Sequence, residues 1–480
     1  MDHIHLRAPA AAPGATFHEL SRVLWLLLLV KAAWLLADHT LRLYMGDSMV
    51  YLQTAAWLSA APGRSYLYGA ILHFTVFPLG SPLAIIVLQA LWSVASALAL
   101  HVFLRNGLGV PWRYAASAAV LLATEPAQQF LERMVMAETA GLLALVGTFL
   151  AYARYLQRGQ LGWYVAGCLL GLAAGNFRTS LLPVAIGLGI VAPLLFVLVR
   201  RGVVLGAIPR LHHALVALVV LALGHVAYTH AYGAAMKSPP GYLALTGMMR
   251  IGLVAPLIEP HHFEGTGVSG DVLGQVRLPL KDPWQRGHHI WSEKGLWQAL
   301  QESTTDPEAV ARVITRRAML DHPLELLRIN IQTLAGYFDP KKRYARMQDD
   351  IGVIAPDARA REVVLEWMDW DVAGIDATDT PARVYFASSG WWLTACLFLL
   401  APLALLTLAV GWRRERRDLY ALLALASLGM VASHVLFSHI VSFRYLHPFP
   451  WFVLANVAAL LGSSTHVAPA CATGSPGQPR

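Results

Sequence analysis

Long apolar runs recur along this chain, at roughly 21–37, 83–104, 112–124, 134–153, 161–175, 180–199, 212–232, 386–410, 419–440 and 447–463. About 20 apolar residues in a helix cross the roughly 30 Å hydrocarbon core of a bilayer. Inside lipid every backbone polar group must be satisfied internally, which leaves helices or a closed barrel. The alternating ten-residue strands of a barrel are absent. The expected fold is therefore all-α and polytopic, a bundle of about ten transmembrane helices. Composition agrees: 56% of the 480 residues are hydrophobic and 14% are charged, against about 25% charged in soluble proteins.

These runs divide the chain into a polar tail at 1–20, a transmembrane module at 21–232, a mixed extracytoplasmic segment at 233–385, a second module at 386–463 and a Pro/Gly/Ser-rich tail at 464–480. Lys31 interrupts the first run and no A-x-A site follows it, so it reads as a retained span and not a cleaved signal. With the N-terminus inside, four links fall on the cytoplasmic face. They hold Arg105 and Arg113; Arg154 and Arg158; Arg200, Arg201 and Arg210; and Arg413, Arg414, Arg416 and Arg417. That is the positive-inside pattern. It accounts for the net charge of +8 without nucleic acid, for which nothing else in the chain speaks. The high content of Ala, Leu and Arg is that of a high-GC bacterium.

The outer face then receives the 38–82 connection, the polar link Glu125–Arg133, the corner at Arg178, the whole of 233–385 and the corner 442–447. Residues 47–60 read as an amphipathic helix lying on the membrane. Within 233–385, Thr305-Asp306-Pro307-Glu308 is a capping-box signal for a helix to about Leu320. Asp321-His322-Pro323 opens another, with Leu324, Leu327, Ile331, Leu334 and Phe338 on one face. That stripe either packs on the segment's core or lies along the membrane.

Chemistry concentrates on the outer side. Asp47 follows the first span, with Tyr51 one turn on; an Asp there is either a helix cap or an acid at the membrane surface. Glu138 opens the fourth span, where an acid is costly unless paired or functional, and Lys31 needs a partner for the same reason. Arg178 and Arg444, the latter followed by Tyr445, lie outside against the charge trend. An arginine at a helix end can simply snorkel, but its planar fork also suits phosphate. Lys341, Lys342 and Arg343 head a further basic patch. The doublets His261-His262 and His288-His289 read as solvated loop residues, since neither has an i,i+4 partner beside an acid. Cys168, Cys396 and Cys471 form no CxxC pair, so no metal site is expected.

In order along the chain, these features resemble the GT-C superfamily of membrane glycosyltransferases, in the family that includes protein O-mannosyltransferases and lipid A aminoarabinose transferases. The residues that carry the resemblance are Gly46-Asp47-Ser48 after the first span, the run from Val87 to Arg105, and Ala137-Glu138 opening a span after Pro126. They continue with a Gly-rich span ending in Arg178 and Pro183, the DHPLELL helix at 321–327, and Arg444-Tyr445 before a Pro-rich last span. Many relatives carry two adjacent acids in the first external connection, where this chain has Asp47 between Gly46 and Ser48.

The resemblance implies inverting transfer of a sugar from a polyprenyl-phosphate donor to a glycan, lipid or protein acceptor at the outer face of a bacterial inner membrane. It implies Asp47 as catalytic base, with Tyr51, Glu138, Arg178, the 341–343 patch, Arg444 and Tyr445 at the substrate. No obligatory metal or other cofactor is expected, because arginines can do the work of a divalent ion. Two other classes fit a polytopic chain with an external segment: a transporter or flippase of a lipid-linked or anionic solute, which Lys31 favours, and a non-catalytic assembly protein.

Overall fold

The computed structural model describes residues 15–61, 63–64, 66–199, 207–351, 358–372 and 379–464. Most of the two expected tails, together with Arg200, Arg201 and Cys471, lies outside the described residues. Among those residues the chain is helical throughout, and the only extended pairing is an isolated parallel bridge between Arg42 and Met134.

The first module runs α1 (Phe17–Ala37), α2 (Met45–Trp57), α3 (Tyr66–Thr75), α4 (Pro82–Val102), α5 (Trp112–Ala123), α6 (Pro126–Leu131), α7 (Glu138–Arg158), α8 (Leu161–Phe177), α9 (Leu182–Leu198) and α10 (Ala207–Met236). The segment after it, expected to be mixed, holds helices and 3-10 turns: α11 (Thr246–Val254), α12 (His288–Trp291), α13 (Leu296–Ser303), α14 (Pro307–Asp321), α15 (Pro323–Ala335), α16 (Pro340–Ile351), α17 (Ala358–Met368) and α18 (Pro381–Ala387). The chain closes with α19 (Gly390–Gly411), α20 (Arg417–Phe437) and α21 (Phe449–Ser464).

A helix stands at each of the ten apolar runs, but eight helical segments among the described residues are long and apolar enough to cross a membrane. The two shorter ones are α8, with 17 residues, and α5, with 12. At 1.5 Å per residue α5 is only about 18 Å long. The segment after α5 makes up for its shortness. Glu125–Arg133, expected as an exposed outer link, is folded back into the protein as α6, with Glu125, Gln128, Gln129, Glu132 and Arg133 all buried. Irregular backbone near membrane depth is tolerated where protein surrounds it. Lys31 Nζ donates to Glu132 Oε1 at 2.6 Å and to Ala123 O at 2.7 Å, so the charge in the first span is matched inside this folded-back segment.

The two ends of the bundle separate as alternating spans require. At one end Arg105 Nε donates to Glu19 at 2.6 Å, Arg416 reaches Asn106 O at 2.5 Å and Arg417 reaches Val199 O at 2.8 Å. At the other end lie Asp47, Glu138, Arg178 and Arg444. The large core joins α1–α10 to α16–α21, and a second, smaller core joins α11, α13, α14 and α15.

Three local expectations need correction. α2 does not lie open on the surface: Tyr51, Leu52, Thr54 and Ala55 are buried, and the helix packs against α3 and α17. Asp306 caps α14 by accepting from Ala309 N at 3.0 Å, but Glu308 does not complete a capping box. Its carboxylate accepts instead from Gly247 N and Met248 N at 2.6 and 3.0 Å, at the start of α11, where the helix dipole favours an anion. Most of the apolar stripe of α15 faces outward, with Leu324 80% and Ile331 50% exposed; Leu334 is partly buried against the large core, and Ile329, Asn330 and Thr333 are buried. Packing on the segment's core is therefore not the stripe's role.

Candidate active site

Asp47 lies in the first turn of α2, whose N-cap is Tyr44. It does not serve as the cap. Ser48 Oγ accepts from Tyr44 N at 2.7 Å and donates to Val135 O at 2.9 Å. That leaves the Asp47 carboxylate free to point away from its own backbone. Arg64 takes Oδ1 with two donors, Nε at 2.9 Å and Nη2 at 2.5 Å, and Arg444 Nη1 stands 3.6 Å from Oδ2.

Arg444 is the hub. It sits in a 3-10 turn, Phe443–Leu446, just before α21. Its Nη1 also lies 3.4 Å from Glu138 Oε1, its Nε lies 3.9 Å from Asp350 Oδ1, and its guanidinium covers the Tyr44 ring at 3.8 Å. Glu138 opens α7, and its Oε1 accepts from Arg178 Nη1 at 2.5 Å. Arg178 is itself the extended residue that ends α8. One turn into α7, a Cβ on Gly141 would come within 3.1 Å of Arg178 Cγ, so that glycine lets α7 close on the arginine. Tyr445 lies under both guanidinium groups, with ring centroid 5.5 Å from Arg178 and 5.9 Å from Arg444.

Four residues picked from separate parts of the sequence, Asp47, Glu138, Arg178 and Arg444, thus meet in one cluster, with Tyr445 beneath it. Tyr51 is buried edge-on against Tyr68 at 5.0 Å. Burial and then the neighbouring Asp47 and Glu138 carboxylates push its hydroxyl pKa up. Lys341, Lys342 and Arg343 do not join the cluster. Lys342 Nζ stands over the Trp284 ring at 3.0 Å, and the backbone N–H groups of Lys341 and Lys342 are held by Asp339. They occupy the start of α16, whose last turn delivers Asp350 about 13 Å further on.

Sequence reasoning misses three participants. Arg64 carries a usable signal, since it too is an arginine on the outer side against the charge trend. Asp350 carries none, because an acid in a polar helix looks solvated. Tyr44 gives none either.

The charges are finely opposed. Burial alone would raise the Asp47 pKa, but Arg64 and then Arg444 override it and hold the carboxyl below its usual range. At Asp350 burial wins over Arg444 and the donors Phe443 N and Ser442 Oγ, and its pKa rises to about 6. Two buried atoms of the cluster, Glu138 Oε2 and Arg444 Nε, make no hydrogen bond among the described residues. The arrangement offers the carboxylates of Asp47, Glu138 and Asp350, a fan of guanidinium donors, and in Glu138 Oε2 an acceptor with no hydrogen bond among the described residues. Those groups can bind an anion beside a hydroxyl-bearing partner.

No protein-family model matches the chain, and no curated protein matches it. Among solved structures it is similar to ArnT from Cupriavidus metallidurans bound to undecaprenyl phosphate, at 15% identity over 91% of this chain and 78% of that one, with a TM-score of 0.37. It is also similar to the apo state of the same ArnT, at 16% identity over 89% and 78%, with a TM-score of 0.34. A third similarity is to arabinosyltransferase EmbB from Mycobacterium smegmatis, at 12% identity and a TM-score of 0.33. It covers 92% of this chain but only 40% of that one. These are distant likenesses.

Proposed function

We propose that the chain is an inverting glycosyltransferase of the GT-C type. It would move a sugar from a polyprenyl-phosphate donor to a glycolipid, polysaccharide or protein acceptor at the outer face of a bacterial inner membrane. The observation that carries this reading is the meeting of Asp47 with Arg64, Arg178 and Arg444 at one end of a membrane bundle.

An acceptor hydroxyl attacks the anomeric carbon as the carbon–oxygen bond to the donor phosphate breaks. The bonding pair leaves on the phosphate oxygen, and Asp47 takes the hydroxyl proton. A positioned base contributes roughly 10²–10⁴-fold. Arginine donors fixed before the reaction meet the charge that develops on the leaving phosphate. They do what a divalent ion would otherwise do, so the reading includes no obligatory metal or other cofactor. Glu138 Oε2 is available to a sugar hydroxyl. Lys31, the residue that would favour a transporter, is matched by Glu132, and no other observation favours that reading.

The test is transfer by the purified protein from radiolabelled polyprenyl-phosphate sugars. Asp47→Asn should lower the rate by about 100-fold or more with folding unchanged. Undiminished transfer in that variant would remove Asp47 as the base, and absence of transfer from every such donor to any acceptor would remove the reading itself.

A further inference from the structure

We propose that the external segment carries a binding site for a divalent transition ion, of which zinc is the type, formed by His261, His262 and Asp321. The site goes beyond the transfer reading and does not depend on it. His261-His262 lie in a 3-10 turn, Pro260–Phe263, and Asp321-His322 form the junction of α14 and α15. The two pairs are sixty residues apart in sequence, and the fold brings them into contact.

Asp321 Oδ2 lies 3.3 Å from His261 Nε2 and 3.1 Å from His262 Nε2, and the three ligand atoms all fall within 4.8 Å of one another. Ligands about 2.1 Å from a tetrahedral zinc are about 3.4 Å apart. Both His–Asp edges already have that spacing, and the two histidine nitrogens lie within 4.8 Å of each other. Contrary to the sequence expectation of a solvated doublet, His262 is fully buried and forms the rear wall; the His261 and Asp321 side chains are about half exposed and form the mouth. Glu259 brings a second carboxylate to the rim, 3.5 Å from His261 Nδ1 and 3.7 Å from His322 Nε2.

The turn is held independently of any ion, since Arg317 Nη1 donates to His262 O at 2.7 Å and to Glu264 O at 2.6 Å. His262 Nδ1 accepts from Glu259 N at 2.9 Å, which puts the ring proton on Nε2, toward Asp321. On ion entry that proton moves to Nδ1, the Glu259 contact is given up, and Nε2 becomes a ligand. Two imidazoles and one carboxylate select zinc-like ions over magnesium or calcium, which take oxygen ligands. The surrounding residues belong to the smaller core, apart from Asp47, Glu138, Arg178 and Arg444. A bound ion would tie the turn after α11 to the α14–α15 corner, a structural role.

The experiment uses the full chain in detergent, stripped with chelator, then titrated calorimetrically with Zn²⁺ and with Mg²⁺ and followed by thermal unfolding. One Zn²⁺ should bind per chain at about micromolar Kd or tighter, with a rise in Tm and no response to Mg²⁺. His261→Gln and Asp321→Asn change half-exposed side chains, so folding should survive. Each should weaken Zn²⁺ binding at least about 10-fold and remove the Tm rise. His288→Gln, in the other doublet, should leave both unchanged. No saturable Zn²⁺ binding by the wild-type chain, or binding that the His261 and Asp321 variants leave intact, would overturn the site.

Discussion

At the scale of single residues the ion cluster sets up a pH response that does not come from its catalytic candidate. Asp47 is held below the usual carboxylate range by Arg64 and Arg444 against the effect of burial, so it stays ionised through mildly acid pH. Asp350 is the group that titrates there. Burial lifts it to about 6 despite Arg444. The native state therefore holds more protons than the unfolded chain between about 4 and 6. The associated stability is present at acid pH and is lost as pH rises through about 6. As pH falls through the same value the cluster loses one negative charge beside Arg444, and an anionic donor should bind more tightly, by on the order of 10-fold for a unit charge a few ångströms away. Asp350→Asn keeps one acceptor oxygen, for Phe443 N, and its amide nitrogen can donate to Ser442 Oγ, but it cannot ionise. It should bind donor at the low-pH strength throughout, with no inflection near 6. Donor affinity measured from pH 5 to 8 in both proteins checks this, and an inflection that persists in the variant would rule Asp350 out as its source. None of this could be read from the sequence. Asp350 sits among charged residues of α16, and only the fold turns it inward onto the 442–444 turn.

At the scale of elements, α15 shows how a periodic stripe can be read correctly as a face and still leave its environment open. Leu324, Leu327, Ile331 and Phe338 do share a face, but that face is 38–80% exposed. The buried side carries Asn330 and Thr333, whose polar atoms are spent on neighbours: Asn330 Nδ2 donates to Leu436 O at 2.9 Å, and Arg286 donates to Thr333 Oγ1 at 2.6 Å. Leu436 lies in the last turn of α20, and the Phe338 ring lies 3.9 Å from that of Phe398 in α19. The stripe thus lies beside two of the helices long and apolar enough to cross a membrane, and lipid is the medium expected to cover it. Spin labels at Leu324→Cys and Ile331→Cys in bilayers should be relaxed more by oxygen than by a water-soluble nickel chelate, and a label at Glu325→Cys should show the reverse. Equal chelate access at all three positions would mean the helix stands clear of the membrane. Hydropathy identified this face because apolar periodicity is local. The medium against which it packs depends on where α19 and α20 end, which is not local.

At the scale of the whole molecule, the helical bundle and the grouping of Asp47, Arg178 and Arg444 at one end of it were legible in the sequence, because each span is apolar and each link carries its own charges. Asp47, Arg178 and Arg444 could be placed at one end by that logic alone. The 125–137 stretch was not legible, since its polar residues resemble a wet link and their partners lie about a hundred residues away. Lys31, in the first span, is the partner that matters most. Its side chain and that of Glu132 are 5% and 1% exposed and 2.6 Å apart, with Gln128 Nε2 also donating to Glu132 Oε1 at 3.1 Å. Removing one member of a buried pair leaves an uncompensated charge and costs about 3–5 kcal/mol, whereas removing both charges is often close to neutral. Lys31→Met alone should therefore destabilise the protein by about that much. Ala123 O, which loses the lysine, keeps its bond from Gln129 Nε2, so the effect can be traced to the carboxylate, which retains only Arg133 Nη1, 4.0 Å from Oε2, as a nearby cation. Adding Glu132→Gln should restore most of the loss, because the amide oxygen can still accept from Gln128. Thermal or denaturant unfolding of the two variants in detergent measures this. If the double variant is as unstable as the single one, the pair is not what ties α1 to the folded-back segment, and packing around α6 must hold it instead.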